Sequence, residues 1–211
     1  MRIRKKAWEN DEIINNIHVI DEPENLKGKW NEYFGNENPI YIEIGCGKGR
    51  FIAQNAINNP DVNYIGIERQ TTIIAIAARK ITDEMGNIAL IQGDAETLSD
   101  LFAEDEISRI YLNFSDPWPK KKWRKRRLTY RSFLELYKSI LCGDKEIFMK
   151  TDNTILFEFS LNEFLECGWK LSNISLDLSN SNIEDNIMTE YEERFSNLGQ
   201  PIYRLEARWK E

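Results

Sequence analysis

A chain of 211 residues, 41% hydrophobic and 30% charged, suits one α/β domain with its own core and is short for two. No apolar run approaches the ~20 residues of a membrane-spanning helix, and Met1-Arg2-Ile3-Arg4-Lys5-Lys6 lacks the apolar stretch of a secretory signal, so a protein without a membrane partner is expected. The net charge of −7 argues against a uniformly basic nucleic-acid binder, and three scattered cysteines (Cys46, Cys142, Cys167) suggest neither a disulfide framework nor a zinc site; a reducing cytoplasm is the expected home.

Taken in order, residues 1–25 show little periodicity and read as a basic, partly mobile arm carrying Arg2, Arg4, Lys5 and Lys6. The single histidine, His18, lies there with no other catalytic signal and reads as structural or exposed. Residues 26–211 read as one domain. Leu26–Phe34 forms a short helix closed by Gly35, and Ile40–Ile44 is a β-branched strand that runs into Gly45-Cys46-Gly47-Lys48-Gly49. A helix over Arg50–Asn58 follows at once. Val62–Ile67 is the next strand, ended by Glu68; Thr71–Met85 is a helix with Ile73, Ile74, Ala77 and Ile81 along one face. Ile88–Ile91 leads into Gln92-Gly93-Asp94, a short helix spans Glu96–Phe102, and Ile110–Phe114 is a further strand. Beyond a Pro-rich basic loop come a helix carrying Phe133, Leu134, Tyr137, Ile140 and Leu141, a strand over Glu146–Lys150 and a helix over Thr154–Glu166. A strand near Trp169–Leu176, a short helix at Glu190–Phe195 and a last strand at Pro201–Trp209 complete the chain. Strands and helices alternating at this spacing predict a doubly wound, Rossmann-like, mostly parallel sheet with helices on both faces.

The strand–loop–helix unit at Ile40–Asn58 aims bare backbone N–H groups at a ligand, and glycine lets backbone come close to it. A dinucleotide fingerprint would need glycine where Arg50 stands, and the P-loop pattern is absent. The Glu43 carboxylate repels a pyrophosphate but attracts an ammonium, so S-adenosylmethionine fits best, cradled by Gly45, Gly47 and Gly49. In an open α/β sheet ligands lie beyond the carboxyl ends of the strands, which collects Glu43, Glu68, Asp94, Asp116 and Asp152. Glu68 stands where an acid accepts both ribose hydroxyls, and Asp94 where one accepts the adenine amino group. No cluster has metal-ligand spacing, so no metal is expected.

The most specific stretch is Asn113-Phe114-Ser115-Asp116-Pro117-Trp118-Pro119-Lys120-Lys121-Lys122. Two prolines fix the backbone around a tryptophan. A carboxylate there can accept the N–H donors of guanine, an indole face adds ~1–3 kcal/mol of base stacking, and each nearby cation is a candidate phosphate contact. Positions 120–127 hold seven positive charges in eight residues. Screening confines electrostatic attraction to ~8–10 Å, so this local strip matters more to a polyanion than the total charge.

The chain resembles the bacterial tRNA (guanine-N7-)-methyltransferase family from end to end. The resemblance is carried by Ile42–Gly49, Tyr64–Glu68, Leu112–Lys121, Arg126-Arg127-Leu128-Thr129, Lys150-Thr151-Asp152-Asn153 and Thr189-Glu190-Tyr191-Glu192. It implies a seven-stranded class I methyltransferase fold and methylation of a guanine N7 in the tRNA variable loop. It also implies Glu43, Glu68, Asp94 and Asp116 around the S-adenosylmethionine cofactor. Lys120, Asp152, Thr189, Glu190, Tyr191 and Glu192 are implied to surround the substrate. In this reading Asp116 is the catalytic residue, orienting the base. The tRNA partner is met by Lys120–Arg127 and by Arg2–Lys6, on a monomer or homodimer. Two alternatives stay open: an exocyclic-amine methyltransferase, since Ser-Asp-Pro-Trp is similar to the [DN]-P-P-[YF] motif of that class, and a non-catalytic RNA-binding protein on the same fold.

Overall fold

The computed structural model describes residues 16–82, 84–181, 183 and 186–210. The basic cluster Arg2–Lys6 lies outside the described residues. Two compact units make up the chain, residues 1–103 and 104–211.

In the first unit, strands β1 (Val19–Ile20), β2 (Ile40–Ile44), β3 (Asn63–Glu68) and β4 (Ile88–Gln92) pair in parallel in the order β1-β4-β3-β2. All six residues of β3 are buried, which is why Asn63-Tyr64-Ile65-Gly66-Ile67-Glu68 reads as a nearly unbroken apolar run rather than an alternating one. Helices α1 (Trp30–Phe34), α2 (Arg50–Asn58), α3 (Thr71–Ala78) and α4 (Leu98–Leu101) complete the unit. Both α2 and α3 pack on β3 and β4. Trp30 is fully buried against Phe102, and its indole N–H donates to the Leu101 carbonyl at 3.0 Å.

Two departures from the sequence reading meet at one place. The helix expected to reach Met85 stops at Ala78. The Ala78 carbonyl accepts the Ile81 N–H in a tighter turn at 3.1 Å and also the Asn16 side-chain amide at 3.2 Å, and the Thr82 carbonyl lies 3.1 Å from His18 Nε2. Asn16 and His18 come from the segment read as an arm, and that segment adds β1 beside β4. His18 is 5% exposed, with its other ring nitrogen 3.2 Å from the Ile88 carbonyl. Its role in this unit is structural.

In the second unit, strands β5 (Ile107–Asn113), β6 (Leu141–Thr151), β7 (Lys170–Ser175) and β8 (Tyr203–Arg208) lie in the order β5-β6-β8-β7. β5 and β6 are parallel, while β8 runs antiparallel to both of its neighbours. Helix α5 (Arg131–Ile140) buries Phe133, Leu134, Tyr137 and Ile140 against β6. Helix α6 (Thr154–Glu166) packs on β6, β7 and β8, and α7 is Glu190–Ser196. β6 begins five residues before the expected Glu146. Positive φ at Gly143 and Lys145 gives it a bulge, and its register with β5 shifts there. The described residues thus hold eight strands, where the resemblance implies seven; the two-residue β1 makes the difference. No helix among them is long and apolar enough to cross a membrane.

Candidate functional site

The first unit brings the expected donor-binding residues other than Asp116, which belongs to the second unit, to the carboxyl ends of its strands. Parallel pairing sets Ile44 opposite Ile67, and Glu68 opposite Gln92, so β2, β3 and β4 end side by side. The loop after β2 folds onto β3: the N–H groups of Gly45 and Cys46 both donate to the Ile67 carbonyl, at 2.8 and 3.0 Å. Glu68 is held from two directions. One carboxylate oxygen accepts the Gly47 N–H at 3.2 Å and the other accepts the Gln70 N–H at 2.9 Å. A carboxylate has about four acceptor sites, so both oxygens keep capacity for a ligand's hydroxyls.

The loop glycines do different jobs. Gly45 and Gly47 have φ of +77° and +55°, and a Cβ at either would meet nothing within 4 Å. Their surface is open to an approaching group. Gly49, at φ +76°, instead sets helix packing: a Cβ there would lie 2.8 Å from the Ala77 Cβ of α3. It is also the N-cap of α2, with no acidic residue in that helix's first turn.

Glu43, one residue before the end of β2, is 2% exposed. Asp94 is partly exposed and pairs with Arg69 at 3.6 Å. A buried carboxylate, a second carboxylate pinned by backbone donors and open glycine backbone fit a ligand that carries a cation and hydroxyls, and they disfavour a pyrophosphate. Among the described residues, no group of histidine, cysteine or acidic side chains could hold a metal ion.

In the second unit, Asn113 pairs with Lys150 in register, and the Phe114 N–H donates to the Lys150 carbonyl at 2.8 Å. The loops after β5 and β6 therefore emerge together. Asp116 is exposed and Trp118 half-buried. Phe114 and Trp118 both take positive φ, +52° and +41°, a region non-glycine residues visit rarely. The loop backbone is thus strained and needs outside support.

Arg127 supplies such support. Its guanidinium donates to the Pro117 carbonyl at 2.9 Å and to the Trp118 carbonyl at 3.2 Å, and it lies 4.4 Å from the centre of the Phe159 ring. The residue is 6% exposed, and burial lowers its pKa from the ordinary value. Within the basic strip at 120–127, Lys120–Lys122 and Arg124–Arg126 are exposed, and Arg127 is not. The exposed cations interleave with indoles. Arg126 lies 5.0 Å from the Trp118 ring, Lys120 lies 4.8 Å from Trp123, and the two indoles meet edge to face.

The residues implied to surround the substrate divide into two kinds. Thr189 and Glu192 are buried at 8% and 1% exposure and form a reciprocal capping box at the start of α7. Glu192 also accepts from the Lys150 ammonium at 2.7 Å. That ammonium further donates to Asn186 Oδ1 and the Ile187 carbonyl. These two side chains fix the segment in place. Tyr191 and Asp152, in contrast, reach the surface: the Tyr191 hydroxyl lies 3.5 Å from Asp152 Oδ2, and its ring packs on Phe114 and Phe195. Burial first, then the Asp152 carboxylate, push the Tyr191 phenol upward. Glu190 is half-buried and Lys120 exposed. The sequence reading missed Arg127 and Lys150 as anchors, because the partners of both are set by folding and not by any local pattern.

Comparison with known proteins bears on this arrangement. Residues 37–205 match a family model described as "Putative methyltransferase". The tRNA (guanine-N(7)-)-methyltransferase of Bacillus subtilis (strain 168) is 54% identical over 212 aligned positions, covering 100% of both chains. The protein of that name from Streptococcus suis (strain 05ZYH33) is 51% identical, again over 100% of both. Among solved structures, an antibiotic-related methyltransferase superposes with a TM-score of 0.64 at 18% identity, covering 87% of this chain and 94% of that one. The 16S rRNA methyltransferase KamB gives 0.61 at 14% identity, covering 86% and 91%. At such identities these structures show the fold alone, a Rossmann-like methyltransferase sheet.

Proposed function

The chain belongs to the family of tRNA (guanine-N(7)-)-methyltransferases, and from that premise we propose that it methylates N7 of a guanine in the tRNA variable loop, with S-adenosylmethionine as donor. Full-length likeness to relatives of that name is the observation that carries the reading. The donor supplies, when bound, a methyl group already activated by its sulfonium. In this reading Glu43 faces its ammonium, Glu68 accepts its ribose hydroxyls, Asp94 and Asp116 complete the surround, Gly45 and Gly47 leave room for it, and Gly49 closes the same loop onto α3.

The chain's part in the chemistry is alignment. Guanine N7 presents an in-plane lone pair and no proton, so no general base is required before attack. Correct orientation alone is worth roughly 7–11 kcal/mol of barrier. Asp116 is the residue we assign to orienting the guanine and offsetting the positive charge that grows on its ring. Trp118 offers a stacking face, and Lys120 with Asp152, Glu190 and Tyr191 contacts the nucleotide's surroundings, while Thr189 and Glu192 hold that segment in shape. The exposed cations from Lys120 to Arg126 meet phosphates, with Arg2–Lys6 as a second contact. The free thiols of Cys46, Cys142 and Cys167 suit a cytoplasmic setting.

Incubation with unmodified bulk tRNA and a labelled methyl donor, followed by nucleoside analysis, should yield 7-methylguanosine. Label on an exocyclic amine would overturn the assignment of N7. Asp116→Ala should abolish turnover and leave donor affinity within about threefold of the parent, because the other donor contacts remain. Surviving turnover would remove Asp116 from its role.

A further inference from the structure

We propose that Arg127 is a positioning residue: it holds the Asp116–Trp118 loop from beneath and is not a contact to tRNA phosphate. The inference rests on the role given to Asp116 and Trp118 above. Three observations converge on it. In the strip from 120 to 127, Arg127 alone among the cations is buried, at 6% exposure, whereas Arg124, Lys125 and Arg126 face solvent. Its fork bridges two successive carbonyls, those of Pro117 and Trp118. The next anchored residue, Thr129, is fully buried, and its hydroxyl meets that of Ser160 on α6 at 2.7 Å. The chain entering α5 is therefore pinned, and Arg127 is pinned with it.

The loop has reason to need this. Pro117 and Pro119 have no N–H to donate, so the turn has fewer backbone donors with which to close on itself. Trp118 sits at φ +41°, a conformation that persists only when its surroundings impose it. A planar fork with fixed N–H directions suits two carbonyls in sequence, and an ammonium on a flexible stem does not reproduce it. Among the described residues no carboxylate pairs with Arg127, so its charge is compensated by carbonyl dipoles and the face of Phe159. A phosphate could reach it only by dismantling that seat.

The test compares Arg127→Lys and Arg127→Ala with Arg124→Ala, reading kcat, KM for tRNA, donor affinity and the salt dependence of tRNA binding. A misplaced reacting group costs on the order of 100-fold in rate. Both Arg127 variants should therefore lose kcat on that scale, with the slope of log affinity against log salt unchanged. Arg124→Ala should instead raise KM and reduce that slope by about one. Added guanidinium should restore part of the kcat of Arg127→Ala and none of the KM defect of Arg124→Ala. Should the alanine variant fail to fold, Arg127→Lys keeps the stem and charge, and the same parameters are read there. The proposal is overturned if either Arg127 variant behaves as Arg124→Ala does, or if it loses thermal stability with kcat intact. Asp116→Ala runs alongside: if it stays active, the assignment of the loop fails, whereas an inactive Asp116→Ala beside a phosphate-like Arg127 overturns this inference alone.

Discussion

Replacing Glu192 by Gln removes one charge from a buried pair and sets an NH2 where a carboxylate oxygen accepts the Asn186 side-chain amide. Glu192 is 1% exposed and Lys150 5% exposed, with 2.7 Å between ammonium and carboxylate. The amide keeps an oxygen able to accept the Thr189 N–H, and Thr189 still caps α7 through the residue-192 N–H at 2.9 Å, so the helix start survives. What remains is a buried ammonium that still donates to the neutral Asn186 and Ile187 oxygens. Breaking one side of a buried pair costs about 3–5 kcal/mol. A chain of this size shifts its melting temperature by roughly 2–4 °C per kcal/mol, so Glu192→Gln should melt about 6–20 °C below the parent. Removing both charges, as Lys150→Met with Glu192→Leu, should recover most of that loss, because well-packed apolar replacements of buried pairs are often neutral or better. Thermal unfolding followed by circular dichroism in low and high salt is the assay. The deficit should be the same in both, since screening hardly reaches a buried pair. A single variant melting within about 2 °C of the parent, under one kcal/mol on the same scale, would refute the reasoning. So would a double variant as unstable as the single one.

Gly49→Ala should lose about 2–4 kcal/mol by chemical denaturation, since the new methyl meets the Ala77 Cβ at 2.8 Å and φ of +76° is unfavourable for alanine; an unchanged midpoint would show that the loop can shift. Tyr137 is fully buried, and its hydroxyl has no hydrogen-bond partner among the described residues, so Tyr137→Phe should be neutral or stabilising by about 1 kcal/mol. Burial raises the folded phenol above its ordinary 10.0, so only the unfolded chain loses this proton as pH climbs past ~10, and stability falls there. Tyr137→Phe should blunt that alkaline loss, read from melting temperatures between pH 9 and pH 11. In Glu68→Gln the amide NH2 must face either the Gly47 or the Gln70 N–H, both donors; calorimetry with S-adenosylmethionine should show affinity weakened at least tenfold, about 1.4 kcal/mol. Unaltered affinity would remove Glu68 from the donor site.

The sequence by itself determined what neighbouring residues decide among themselves. The β-branched run at Ile40–Ile44, the positive-φ glycines behind it, the Asn153 cap of α6 and the apolar stripe of α5 all follow from interactions spanning a few positions. Such interactions leave a period or a residue preference that can be read directly. The α/β class and the run of acids at strand ends came from the same source, and the Pro-Trp-Pro loop was legible because proline constrains its own backbone.

Only the tertiary structure decided which far-separated groups meet. Asn16 and His18 meet carbonyls at Ala78, Thr82 and Ile88, beside the point where α3 ends. Lys150 finds Glu192 across 42 positions of sequence, which gives part of the Thr189–Glu192 stretch an internal bracing role. Arg127 looks like its neighbours in a basic run, yet it turns inward to the carbonyls of Pro117 and Trp118. A cation's letter records its charge. Whether water, a phosphate or a buried carbonyl answers that charge depends on what the fold brings within about 3 Å of it, and spacing along the chain does not encode that.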